Sequence, residues 1–225
     1  MRERTTALSV ALGLAIAGLG CSSTETNVVN QYFTALRAND QGTLTSFAMV
    51  AFDQQVDDWK VVSVGPEVKA PATLPDLVKK QKDLEAELAK NTRDARAWGN
   101  DLNIYPKLDQ VRTLEQKGAK IPANLEPIHQ KWSEFNAKDR ELKKAVADAK
   151  AAVERERRNV GLSIGQTEDM DTLTGEVLSK DVDLNLTIKG EVKPYVLTLR
   201  KYELTGGTGA RMVARWVVQS ITPKG

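Results

Sequence analysis

Cysteine and histidine are nearly missing from this chain of 225 residues, since each occurs once. The single cysteine, Cys21, has no second thiol with which to form a disulfide or a cysteine-ligated metal site, so the fold must be stabilised by packing alone. The single histidine, His129, leaves no histidine pair for a metal ion, and a Ser-His-Asp triad would have to be centred on it. Because His129 lies in a helical pattern beside Ile128 and Trp132, we expect a solvated or partly packed helix residue rather than a catalytic one.

Recognised catalytic and nucleotide-binding motifs are also missing. The sequence contains no P-loop, no G-x-S-x-G nucleophile motif and no H-E-x-x-H zinc motif. The 32 basic and 30 acidic side chains leave a net charge of only +2, which argues against nucleic-acid binding because that function calls for a clustered basic face. The glycine-rich stretch 206–209 lies between two strand-like runs with no helix after it, so it predicts a hairpin turn rather than a phosphate site. We therefore expect no cofactor and no metal.

Only one long apolar run is present, and it lies at the start of the chain. Two arginines precede an apolar segment over residues 7–19, and the small residue Gly20 stands directly before Cys21. A positive start, an apolar segment and a small residue before the cleavage point are the layout of a secretion signal. This layout resembles the bacterial lipoprotein signal, in which residues 18–21 would be the lipobox, residues 1–20 the signal peptide, and Cys21 the acylated first residue of the mature protein.

The resemblance implies attachment to a membrane through acyl groups such as palmitate on Cys21, and a location in the bacterial cell envelope. Ser22 after the cysteine implies delivery to the outer membrane, with the protein facing the periplasm. Cleavage at the small-x-small stretch 15–17 would instead give an ordinary secreted protein. An uncleaved spanning helix is the least favoured reading, because only about sixteen residues, 5–20, are free of charge and a span needs about 20.

The region after the signal combines short helices with a strand. From residue 26 to residue 36 the apolar residues follow a spacing of three and four, which predicts a short helix. The polar stretch 39–42 interrupts it, and a second short helix is predicted over residues 44–48. Residues 57–65 alternate as in a strand, which Gly65-Pro66 ends.

Residues 73–160 are rich in alanine, lysine, glutamate, arginine and leucine, with few β-branched residues, which is typical of long helices. An apolar stripe at spacings of three and four includes Leu102 and Tyr105 and is disturbed at Pro106, where we expect a kink or a break. After a turn predicted at 118–124, a second stripe follows heptad spacing. Two helices joined by a short turn predict an antiparallel, coiled-coil-like hairpin about 50 to 65 Å long at about 1.5 Å per residue.

The apolar stripes of this hairpin are expected to hold its two arms together. We expect most of Leu125, Ile128, Trp132 and Phe135 to pack between the arms. A partner site is then expected at the tip of the hairpin or on an outer face. The mixed-sign run 154–158 is typical of a solvated helix face rather than of a docking site.

The C-terminal part changes to three strand-like runs, over residues 175–189, 195–204 and 210–221. Their connections, Gly190-Glu191 and residues 206–209, are short enough for antiparallel neighbours. The fold class predicted from the whole pattern is α+β, with a small antiparallel sheet that packs with the N-terminal helices and is interrupted by the helical hairpin.

A helix pair, a strand and a three-stranded meander whose last strand contains Ala214-Arg215-Trp216-Val217-Val218 resemble the cystatin-like cone of the nuclear transport factor 2-like superfamily. The resemblance covers residues 26–66 and 173–223. It implies a discontinuous α+β domain over residues 21–72 and 161–225, with the helical hairpin as an insertion.

Relatives in that superfamily include ketosteroid isomerases and polyketide cyclases, which place an Asp, His or Tyr in the open mouth of the cone. No matching acid–base pair can be assigned in this chain, so the resemblance favours a binding or assembly module. We therefore expect a lipid-anchored envelope protein, not an enzyme, whose hairpin binds a protein partner or a second copy of the chain. The alternative is small-ligand binding, or cyclase- or isomerase-like activity, in a mouth lined by Tyr32, Trp59, Tyr195 and Trp216.

Overall fold

The computed structural model describes residues 24–165, 167, 169–207 and 209–225. Within these residues the chain is α+β, as predicted, with five α-helices, one 3-10 helix and a five-stranded antiparallel sheet. The helices are α1 (Thr24–Arg37), α2 (Gln41–Phe47), α3 (Leu74–Gly99), α4 (Tyr105–Gln116) and α5 (Glu126–Ile164), with the 3-10 helix at Met170–Thr172. The strands are β1 (Asp58–Val64), β2 (Val68–Pro71), β3 (Thr174–Ile188), β4 (Glu191–Thr205) and β5 (Val217–Pro223).

The N-terminal targeting predictions concern a part of the chain that the structure does not describe. The signal peptide predicted over residues 1–20, its cleavage after Gly20 and the lipidation of Cys21 all lie outside the described residues. Among the residues that are described, no helix combines the length and the apolar character that a membrane crossing requires.

The sheet is built on one long hairpin. β3 and β4 pair along all fifteen residues of each strand, and a two-residue turn at Lys189 and Gly190 joins them. φ is 52° at Lys189 and 78° at Gly190. Positive φ at both positions is typical of a tight hairpin turn, and glycine adopts it without steric cost. β1 and β2 pair with opposite halves of β3, while β5 pairs with the free side of β4.

The two faces of the sheet are covered by different helices. Val182 and Leu197 are partners across β3 and β4 and belong to a core formed with α1 and α2. Val177 and Tyr202 are also partners, but they belong to a second core that includes Val153 of α5. Successive residues of a strand point to opposite faces, so positions 177 and 182 face opposite sides. The second core consists of Leu74, Val78, Val153, Val160, Met170, Leu173, Val177, Tyr202 and Leu204.

α3 and α5 are the two arms of the predicted hairpin. α3 ends at Gly99, and Pro106 lies in the first turn of α4. Proline is tolerated there because the N–H groups of the first turn have no hydrogen-bond partner within the helix. Pro106 therefore marks a break, one of the two outcomes predicted for it. α4 packs against α5, and its Leu108 and Val111 are buried. The turn predicted at 118–124 connects α4 to α5 and is confirmed.

α5 is continuous over 39 residues and joins the hairpin to the sheet. The domain boundary predicted between residues 160 and 161 falls inside this helix, which ends at Ile164. At that end the Ser163 hydroxyl donates to the carbonyl of Arg215 at 2.8 Å and accepts from the backbone N–H of Tyr202 at 3.1 Å. The base of the hairpin therefore packs on the sheet directly.

The strand predicted over residues 210–221 is wrong in its first half, because β5 begins only at Val217. Arg215, just before β5, uses its backbone N–H to bind the carbonyl of Ser163 at 3.0 Å, and its guanidinium Nε binds the carbonyl of Leu162 at 2.9 Å. Arg215 therefore donates hydrogen bonds to backbone carbonyls at the end of α5 instead of extending β5.

Two further differences concern strands with little hydrophobic patterning. β4 begins at Glu191, earlier than the predicted residue 195, because its first four residues are exposed and give no apolar signal. β2 was not predicted, since all four of its residues are exposed and show no alternation. The α+β class is thus confirmed, whereas the cystatin-like cone is not and stays a resemblance.

Candidate functional site

Tyr32 is the first of the four aromatic residues predicted to line a ligand site. It belongs to α1 and is buried in the first core. Its hydroxyl donates to the carbonyl of Val50 at 3.0 Å and accepts from the backbone N–H of Phe52 at 2.9 Å. Burial raises the pKa of Tyr32 above its ordinary value, so the hydroxyl remains a protonated donor. In this structure Tyr32 fixes the loop that follows α2.

Trp59 lies on β1 and is held by three residues of α1. Its indole Nε1 donates to the side-chain oxygen of Asn30 at 3.0 Å. Its ring stacks on Phe33 with centroids 5.4 Å apart, and the guanidinium of Arg37 lies 4.7 Å from the ring centroid. These contacts account for both the polar and the apolar part of the side chain.

Tyr195 and Trp216 line two different cavities. Tyr195 borders a cavity of about 270 Å³ together with Phe52, which meets its ring edge to face. Trp216 lines a separate cavity of about 360 Å³, together with Lys201 and Arg215. Tyr32 and Trp59 line neither of these cavities. The structure therefore does not bring the four residues around one cavity, and their role in ligand binding stays a prediction.

His129 lies near the start of α5 and connects it to α4. Its Nε2 is 3.3 Å from a carboxylate oxygen of Glu115 on α4, and its Nδ1 is 3.6 Å from Glu126. The expectation of a partly packed helix residue is confirmed. Within the described residues, no group of three or more His, Cys, Asp and Glu side chains has a geometry that could hold a metal ion.

A polar cluster around the buried carboxylate of Glu156 attaches the hairpin to the sheet, and we call Thr73, Glu156, Asn159, Arg200 and Tyr202 the joint. Glu156 is only 7% exposed. Its Oε1 accepts from the hydroxyl of Tyr202 at 2.9 Å and from that of Thr73 at 3.3 Å. Its Oε2 accepts from the amide of Asn159 at 3.2 Å and lies 4.0 Å from the guanidinium of Arg200. The joint thus connects the start of α3, the end of α5 and β4.

The electrostatics of the joint favour a fixed arrangement. Burial, followed by the charge of Glu156, raises the pKa of Tyr202 far above its usual range, so its hydroxyl stays protonated and donates. Close by, Arg157 of α5 donates two hydrogen bonds, at 2.7 and 2.6 Å, to the carboxylate of Asp171. These bonds hold the pKa of Asp171 below its usual range. In the sequence, Glu156 interrupts an apolar stripe, but it belongs to the run 154–158 that was predicted to be a solvated helix face. For Glu156 that prediction is wrong, because its side chain is buried.

We expect Tyr202→Phe to lower the free energy of unfolding by about 1–3 kcal/mol, because the buried carboxylate of Glu156 loses its closest donor. Urea unfolding followed by circular dichroism measures this change. Tyr105→Phe is the matched control, since Tyr105 is 54% exposed and its removal should alter the free energy by less than about 0.5 kcal/mol. Equal effects of the two substitutions would show that the joint does not stabilise the fold.

A cleft lies far from the joint, where α3 ends and α4 and α5 meet it. Its volume is about 270 Å³. The lining residues, which define the cleft, are Asn91, Thr92, Ala95, Arg96, Gly99, Asn100, Tyr105, Arg112, Trp132, Phe135, Asn136 and Asp139. The cleft lies where α3 stops at Gly99 and α4 begins at Tyr105, and residues of α5 complete its lining.

The cleft carries two arginines that have no carboxylate partner among the described residues. The guanidinium of Arg112 lies 4.3 Å from the ring centroid of Trp132, and Arg96 is exposed at the side of the cleft. Asp139, the one acidic residue of the lining, is bound to Lys143 at 2.7 Å. The cleft is therefore electropositive on the side of α3 and α4.

Half-buried aromatic rings form the wall of the cleft. Trp132 and Phe135, which were expected to pack between the arms, are partly buried and line the cleft where α3, α4 and α5 meet. Phe135 also contacts Trp98 with centroids 5.6 Å apart. Leu102 and Tyr105 were assigned to the apolar stripe, but they follow the end of α3 and are 90% and 54% exposed. Tyr105 lines the cleft, and Leu102 lies in the chain between Tyr105 and Asn100, which also lines it.

Comparisons with known proteins provide no relative from which to transfer a function. No protein-family model, no curated protein and no solved structure matches this chain.

Proposed function

We propose that this chain is a lipid-anchored protein of the bacterial cell envelope that binds a partner protein through the far part of its helical hairpin. We call residues 89–139, which contain the cleft, α4 and the turn before α5, the distal hairpin. The observation that carries the proposal is the cleft, because it combines unpaired arginines, half-buried aromatic rings and exposed apolar neighbours. Arginine, tryptophan and tyrosine are the residues most enriched where binding energy concentrates at protein interfaces.

The distance from the proposed anchor supports a role in reaching a partner. Along α3, about twenty residues separate Leu74 in the second core from the cleft, which corresponds to about 30 Å at 1.5 Å per residue. The first described helix begins at Thr24, three residues after Cys21, a tether of at most about 11 Å. The sheet would then lie near the outer membrane while the distal hairpin extends into the periplasm.

The joint supports the same role because it fixes the hairpin to the sheet. A buried carboxylate with several donors restrains the arm to which it is attached, so the cleft is presented in one orientation. A preorganised site loses less conformational entropy when it binds.

Shortening the hairpin tests this function. Replacement of the distal hairpin by a short Gly-Ser loop leaves the second core and the joint in place, whereas removal of all of 73–160 would also remove Leu74 and Val153 from that core. We expect chemical crosslinking in cells to capture a partner with the full-length chain and to lose it with the shortened one. The shortened chain should still unfold in one cooperative transition.

Two outcomes separate the alternatives. An adduct of twice the chain mass would identify the partner as a second copy of this protein. Equal capture by the full-length chain and by a folded shortened chain would contradict the proposal and direct attention to the sheet and the cavities at Tyr195 and Trp216.

A further inference from the structure

We infer that the cleft recognises an acidic polypeptide segment, in which a side-chain carboxylate binds Arg96 and Arg112 while a neighbouring apolar side chain packs on Trp132 and Phe135. This inference rests on the proposed function and specifies the chemistry of the partner. It follows from charge, hydrogen-bonding capacity and shape within the cleft.

The charge of the cleft selects an anion. The guanidinium carbon of Arg112 lies 4.3 Å from the ring centroid of Trp132, and its N–H donors form no ion pair with a described carboxylate. Those donors suit a carboxylate, which they bind in a bidentate manner. Arg96 adds a second positive charge on α3, and Asp139 is already compensated by Lys143. An acidic occupant would therefore pair with arginines that have no other acidic partner within the described chain.

The amide side chains of the cleft suit a peptide backbone. The side-chain amide of Asn91 already donates a hydrogen bond within the protein, from its Nδ2 to the carbonyl of Phe135 at 3.3 Å. Asn100 and Asn136 also line the cleft, and their side chains make no hydrogen bond to another described residue. An asparagine side chain offers both donors and an acceptor, which is what the alternating N–H and C=O groups of an extended peptide require.

The shape of the cleft favours a polypeptide over a small molecule. Its volume of about 270 Å³ is at the lower end of the roughly 300–1,000 Å³ of sites for small ligands, and is enough for one apolar side chain and a carboxylate. Tyr105 lines the cleft but is half exposed, whereas Leu102 is 90% exposed and is not part of the lining. A small molecule in the cleft would leave Leu102 in water, whereas a bound segment of several residues would cover it.

A peptide selection tests the inference. A displayed library of random dodecapeptides is selected on the full-length chain purified in detergent, and the enriched peptides are then titrated. We expect the enriched peptides to carry Asp or Glu next to a large apolar residue.

Their affinity should fall at least about tenfold for the double variant Arg96→Glu, Arg112→Glu, because two charge-assisted contacts are lost. The matched control is Arg93→Glu, Lys107→Glu, which changes charge equally on α3 and α4 outside the cleft and should stay within about twofold.

Folding and ligand size are controlled separately. Arg96→Glu alone alters an exposed side chain with no ion pair to a described residue, in the last turn of α3. It should reduce binding while lowering the free energy of unfolding by no more than about 1 kcal/mol. Benzoate and inorganic phosphate are tested as competitors. Micromolar binding of either one would overturn the inference and make the cleft a small-anion site. Enrichment without acidic residues, or equal binding by the double variant, would also overturn it.

The inference and the proposed function fail in different ways. If crosslinking in cells is lost with the shortened hairpin but unchanged with the double arginine variant, the hairpin binds a partner elsewhere and only the inference is wrong. If neither change affects the crosslink, the proposed function itself is wrong.

Discussion

Cys21→Ala should move nearly all of the protein from the membrane fraction to the soluble envelope fraction. Each buried CH2 of an acyl chain contributes about 0.8 kcal/mol to membrane attachment, and stable anchoring takes more than one such signal. Fractionation with immunoblotting, together with metabolic labelling by palmitate, measures the change, and Ser22→Ala serves as the control that keeps the cysteine.

Two results would contradict the lipid anchor. A Cys21→Ala protein that stays in the membrane fraction would show that attachment does not depend on acylation. A wild-type protein that is unlabelled and already soluble would support cleavage at 15–17 as an ordinary secretory signal.

Val153→Asp should unfold the sheet and the hairpin together. Val153 is fully buried in the second core, between the arm α5 and the sheet. Burial raises the pKa of a carboxyl by up to 3–5 units and each unit corresponds to about 1.36 kcal/mol, so we expect a loss of at least about 4 kcal/mol at pH 7. That is a large part of the 5–15 kcal/mol that typically separates folded from unfolded domains.

The control for this substitution is Leu102→Asp, which places the same charge at a position that is 90% exposed. It should change the free energy of unfolding by less than about 0.5 kcal/mol. Thermal unfolding followed by circular dichroism compares the two variants. If Val153→Asp removed only helical signal and left a folded sheet, the hairpin would be an independent unit rather than part of the core.

The helices of the hairpin and the turn and break between them were predictable, because composition, apolar spacing, proline and glycine are local features of the sequence. The composition of residues 73–160 and the spacing of apolar residues predicted two helices, and both the turn at 118–124 and the break at Pro106 are present. Proline and glycine act on the backbone where they stand, so no tertiary information was needed.

The edges of the sheet were less predictable because their residues are exposed. β2 has no buried residue, and its pairing with residues 176–179 depends on β3, which follows about a hundred residues later. The non-strand course of residues 210–216 likewise depends on the end of α5, to which Arg215 binds. Such contacts arise from tertiary structure and leave no periodic pattern.

The cleft could not be predicted because it requires the break between α3 and α4 and the packing of both helices against α5. The stripe placed Leu102 and Tyr105 on the packed face of one helix, whereas the structure ends that helix at Gly99. Arg112 then comes to lie over Trp132, a contact across α4 and α5 that their separation in sequence does not reveal. Glu156 of the joint was predicted to lie on a solvated helix face, because its burial depends on contacts with Tyr202 and Thr73 that the local sequence does not show.

Site-specific photocrosslinking in cells tests most directly whether the distal hairpin binds the partner. A photoreactive residue is placed at Leu102, beside the cleft, or at Val192, a 66% exposed apolar residue at the β3–β4 turn. The account predicts a crosslinked partner from position 102 and none from position 192. A crosslink from position 192 with none from position 102 would contradict it and assign partner binding to the sheet.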